Sequence, residues 1–80
     1  MKDRSGREIH QGDILQFTDK TKYLNQSNEW NRRINHRFVV LNIKKHDLLD
    51  SKSLNEDFNY NFSQGDADRF LTVVGQTREL

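Results

Sequence analysis

RFVVLNIKK, residues 37–45, carries the strongest strand signal in the chain and sets the frame for the rest. At strand periodicity Val39, Leu41 and Ile43 fall on one face and Phe38 and Val40 on the other. Both faces of its first half are apolar, which predicts a strand covered on two sides. Three further runs have the same rhythm. DILQFT, from Asp13, sets Leu15 and Phe17 on one face and Ile14 opposite. FNYNF, residues 58–62, alternates Phe58, Tyr60 and Phe62 with Asn59 and Asn61, the pattern of a half-buried antiparallel strand. RFLTVVG, residues 69–75, is β-branched and aromatic, and Gly75 is expected to close it at a bend or bulge.

The connections are polar. Glycine and its neighbours supply the turns: Ser5-Gly6, then Gln11-Gly12-Asp13, then Gly65-Asp66 in SQGDAD, which reads as a hairpin turn. Gly6 and Gly12 are expected to take positive φ, and Asp13 to bond a nearby backbone N–H. HDLLDSKSLNED reads as a turn region around Asp50-Ser51. The long polar run from Thr18 has two readings: one short helix within residues 27–35, capped by Ser27 with Trp30 and Ile34 one turn apart, or a hairpin or disordered loop. Four strands and short turns predict an all-β (mostly β) chain, an SH3-like open barrel forming one small β-barrel domain over residues 1–80.

The composition narrows the function. Of the 80 residues 32% are hydrophobic and 31% charged, enough for one thin core. Such a core gives limited stability alone, so a self-associating surface is expected. With no cysteine, disulfides and thiolate metal sites are excluded. MKDRSGREIH has no apolar core of a secretory signal, and no run approaches a membrane span. These features lead us to expect a cytoplasmic protein without membrane contact. The net charge of +1 hides an asymmetry: residues 20–45 are basic and residues 46–69 mostly acidic.

The two ends of the chain carry a resemblance. DRSGREIHQGDILQF, through Asp3, Gly6, Arg7, Glu8, Ile9, Gly12, Asp13, Ile14 and Phe17, resembles the N-terminal signature of the YopX family of small phage and prophage proteins. The closing FLTVVGQTREL is similar to that family's ending at Val73, Val74, Gly75, Gln76, Glu79 and Leu80. Together the motifs cover about a third of the chain, leaving Thr18 to Asp68 unaligned. The resemblance implies a barrel-like fold and a mobile-element setting, and brings no biochemical activity with it.

Catalytic and metal-binding patterns are thin. His10, His36 and His46 are dispersed and share no ligand spacing. HDLLD has too few oxygen ligands for a calcium loop. There is no nucleophile elbow and no phosphate loop. We therefore expect no enzyme, no cofactor and no metal. The segment WNRRINHR places Trp30 beside Arg32, Arg33 and Arg37. Arginine and tryptophan suit a protein-contact hot spot, and equally suit phosphates and an unpaired base. The leading expectation is a non-enzymatic phage or prophage accessory protein that contacts a host or phage protein and forms a homo-oligomer. The alternative is a nucleic-acid-binding barrel using Trp30, Arg32, Arg33 and Arg37.

Overall fold

A computed structural model describes residues 1–17, 35–45 and 47–77. The elements run β1 (Asp13–Phe17), β2 (Arg37–Lys45), β3 (Leu48–Ser53), β4 (Asn59–Ser63), α1 (Gln64–Phe70) and β5 (Leu71–Gln76). The strands form one antiparallel sheet in the order β4-β3-β2-β1-β5, and α1 joins its two edge strands. The fold is all-β, a small SH3-like open barrel with one short helix among the described residues. The helix lies at residues 64–70, whereas nearly all of the expected span, 27–35, is outside the described residues.

Bulges bend the sheet into a barrel. Val40 pairs with Ser51 and Asn42 with Asp50, so Leu41 is an extra residue in β2. The extra residue switches the parity of the strand. Phe38 and Val40 point into the core before it, and Ile43 packs against the same core after it. Leu41 itself is turned out and exposed. The alternation predicted for residues 37–45 therefore holds only to Val40. The β2–β3 register shifts again between Ile43 and Lys45, and a further bulge lies in β5, where Ile14 pairs with Gly75 and Leu15 with Val73, making Val74 the extra residue. Gly75 flanks this bulge, as its position in the sequence led us to expect, but does not close the strand, since β5 runs on to Gln76.

Residues around Asp50-Ser51, expected to turn, form β3 instead. Its inward positions are Leu49, Ser51 and Ser53, all buried. The small serines leave room for large rings on the neighbouring strands. Phe38 meets Phe62 and Tyr60 edge-on, with centroids 5.1 and 5.4 Å apart. Each buried serine oxygen is used. Ser51 Oγ donates to the Tyr60 carbonyl, and Ser53 Oγ accepts from the amides of Asn55 and Glu56.

SQGDAD does not form the expected hairpin turn: Gly65 lies inside α1. Ser63 caps the helix, accepting from the Asp66 amide at 3.2 Å, while Asp66 accepts from the Ser63 amide at 3.1 Å. This reciprocal cap offsets the helix-weakening glycine. Through it Ala67 and Phe70 reach the core, where Phe70 stacks on Phe17 at 4.9 Å. Ser63→Ala is expected to cost about 1 kcal/mol, read from chemical denaturation.

The N-terminal phrase folds around one buried carboxylate. Asp3 Oδ1 accepts from the Ser5 amide, the Ser5 hydroxyl and the Arg7 amide, all within 2.9 Å. Its Oδ2 accepts from the Val73 amide at 2.8 Å. Gly6 (φ +87°) closes the turn beneath it, and Gly12 (φ +89°) allows the next turn, where the Asp13 carboxylate accepts from the His10 amide at 2.7 Å. Burial alone raises the Asp3 pKa, but donation from Val73, Arg7 and Ser5 outweighs it and holds the carboxyl below its ordinary 3.8. The stability it supplies is thus full above that value and is lost as pH falls through the lower folded-state pKa. Asp3→Asn turns an amide donor toward a backbone donor. It is expected to destabilise the fold by about 1–3 kcal/mol at neutral pH and to flatten the acid limb of the stability–pH curve.

Candidate interaction surface

The sheet has two edge strands, and the chain treats them differently. The edge of β5 is covered by the N-terminal segment: the Leu71 carbonyl accepts from the Arg4 amide at 2.8 Å and the Val73 amide is taken by Asp3. The edge of β4 has no such cover among the described residues. Its hydrogen-bond phase follows from both ends. The Phe58 carbonyl accepts from the Ser53 amide, and the Gln64 amide donates to the Asp47 carbonyl, each at 2.9 Å. The backbones of Phe58, Tyr60, Phe62 and Gln64 thus face β3, and those of Asn59, Asn61 and Ser63 face outward. The outward Ser63 amide is used by the Asp66 cap. Asn59 and Asn61 are left with free outward N–H and C=O groups.

Protein edges are usually blunted by charge, proline or a bulge. From Phe58 to Gly65 there is neither a charge nor a proline, and β4 pairs with β3 without a register shift. On the core side of β4 the aromatic row runs from inside to outside. Phe62 is fully buried, Tyr60 half-buried, and Phe58 is 62% exposed. Leu54, half exposed, lies in the same β3–β4 turn.

That turn is held firmly. The Leu54 amide donates to the Arg37 carbonyl and the Arg37 amide to Asn55 Oδ1, both at 2.8 Å. Glu56 receives the Tyr60 hydroxyl at 3.3 Å, and its other oxygen lies 3.3 Å from His36 Nδ1. Phe58 is therefore presented from an ordered support.

Of the sequence-predicted contact residues, Arg37 is exposed at the start of β2, its guanidinium 3.4 Å from Gln16 Oε1. Trp30, Arg32 and Arg33 lie outside the described residues. The open β4 edge escaped the sequence reading, because an uncharged alternating strand looks alike at an edge and in a sheet interior. Asp3 escaped as well, although an Asp-x-Ser-Gly sequence is a natural carboxylate-capped turn.

Elsewhere, an open cleft of about 360 Å³ is lined by His10, Gln11, Gly12, Asp13, Gln76 and Thr77. Its carboxylate, Asp13, is buried and committed to the His10 amide. Among the described residues no group of three histidines or carboxylates is placed to hold a metal, and no helix is long and apolar enough to cross a membrane. Protein-family models, curated protein sequences and solved structures were compared with the chain, and none matches.

The row on β4 yields a contrast on one strand face. Phe62→Ala is expected to cost about 3–5 kcal/mol in urea unfolding, as for a fully buried ring. Phe58→Ser, at the exposed end, is expected to stay within about 0.5 kcal/mol of the parent.

Proposed function

We propose that this protein is a non-enzymatic phage or prophage accessory protein of the cytoplasm that works by protein–protein contact and self-associates, with β4 and Phe58 as its contact surface. The observation that carries the reading is the asymmetry of the two edges. One is closed by a dedicated buried carboxylate, and the other keeps two free peptide groups beside an exposed aromatic ring. Addition of a strand to an open edge draws affinity from the main chain and specificity from alternate side chains. Aromatic residues next to such an edge act as anchors. The phage setting rests on the terminal motifs, from Asp3 to Phe17 and from Val73 to Leu80. The cytoplasmic setting rests on the lack of cysteine.

The test compares the parent chain with Asn61→Lys, which puts a charge on the edge without touching the core. Each is used as bait in bacterial lysate, with and without nuclease. Proteins retained by the parent, lost with Asn61→Lys and indifferent to nuclease are the expected result. Retention that disappears with nuclease, with salt-sensitive oligonucleotide binding lost on Arg37→Ala, overturns the reading in favour of nucleic acid held by Trp30, Arg32, Arg33 and Arg37.

A further inference from the structure

We infer that the occupant of the β4 edge is a second copy of this chain, its β4 running antiparallel to the first across a two-fold axis at Tyr60. The inference rests on the reading of β4 as a contact edge. Identical edges that close on each other do so about a two-fold.

The register follows from which peptide groups are free. In an antiparallel pair, residues that exchange both backbone bonds recur at every second position. With the axis at Tyr60, Asn59 meets Asn61 of the second copy and Asn61 meets its Asn59. Every free outward group of β4 is then satisfied. An axis at Asn61 would instead set Asn59 against Ser63, whose amide already serves Asp66 at 3.1 Å and whose carbonyl enters the helix. The Tyr60 register is the one that pairs every free group of Asn59 and Asn61 with another of them.

The side chains agree with it. On the core side Tyr60 meets its own copy and Phe58 lies opposite Phe62. The aromatic row, already in contact between Tyr60 and Phe62 at 6.2 Å and between Phe58 and Tyr60 at 6.3 Å, then continues across the axis. Phe58, largely exposed in one copy, gains cover from the other. On the opposite side asparagine faces asparagine, a pairing without charge.

The charges lie at the ends of the strand, outside the pairing itself. Asp57, fully exposed and 3.7 Å from Lys52 Nζ of its own chain, falls opposite Ser63 of the second copy. Beside that position Lys2 is held by its own backbone, its amide donating to Gln64 Oε1 at 3.1 Å and its carbonyl accepting from Gln64 Nε2 at 2.8 Å. Each end of the seam carries both signs, Asp57 with Lys52 at one and Lys2 with Asp66 and Asp68 at the other. The β5 edge offers no such open seam, since Asp3 and Arg4 already occupy it.

Light scattering after gel filtration, over micromolar to millimolar protein, is expected to show a dimer. Asn61→Pro removes one outward N–H, a change that edge strands accept, so circular dichroism stays that of the parent. It should raise the dimer dissociation constant by about tenfold or more, because the loss occurs twice across the axis. The chain has no cysteine, so Tyr60→Cys introduces a single thiol. The two copies should then cross-link under mild oxidation, since Cα atoms of such a pair lie about 4.5 Å apart. Val74→Cys, on the covered β5 edge, should not.

A parent chain that is monomeric throughout overturns the inference. If that monomer still retains other proteins through an edge sensitive to Asn61→Lys, the contact reading stands without the dimer. A dimer indifferent to Asn61→Pro, or a Tyr60→Cys chain that fails to cross-link, also overturns it.

Discussion

One extra residue in β2 makes the core possible. Without the bulge at Leu41, strict alternation would send Ile43 away from the side that holds Phe38 and Val40. The longest strand would then divide its apolar residues between two faces, in a chain with little apolar surface to divide. With the bulge, all three face inward and the strand bends, so β1 and β5 can curl toward the side where β3 and β4 lie. Ser51 and Ser53 complete the arrangement by yielding volume to Phe38, Tyr60 and Phe62, each serine oxygen being used for a hydrogen bond.

A sheet that curls but does not close has two edges, and their treatment links fold to function. At β5 the peptide groups meet the turn built on Asp3, so the carboxylate that shapes the opening phrase also blunts the edge. At β4 the chain places asparagine, aromatic and serine, none of which repels a strand. Helix α1 spans between the edges and fills the open side with Phe70. It leaves the outward peptide groups of Asn59 and Asn61 untouched.

Strand signals were legible wherever side-chain alternation was uninterrupted. Leu15 and Phe17 share the buried face as their spacing indicates, and Phe58, Tyr60 and Phe62 do share a side. β3 was hidden because Asp, Ser and Lys resemble turn residues, and its serines are inward only where large rings face them. α1 was hidden behind Gly65, although Ser63-x-x-Asp66 is a capping signal that outweighs one glycine. The contact surface was hardest to see. An edge strand and an interior strand have the same alternation, and only the strand order tells them apart.

The amino-acid sequence by itself determined the β class, the turns at Gly6 and Gly12, and the inward residues of β1, β4 and the first half of β2. These follow from local rules: backbone freedom at glycine and the two-residue period of a strand. Tertiary structure alone decided the parity switch at Leu41, the burial of Asp3 against Val73, and which edge stays open. Each depends on residues far apart in the chain meeting across the sheet, and a local pattern holds no information about which partner a strand will find.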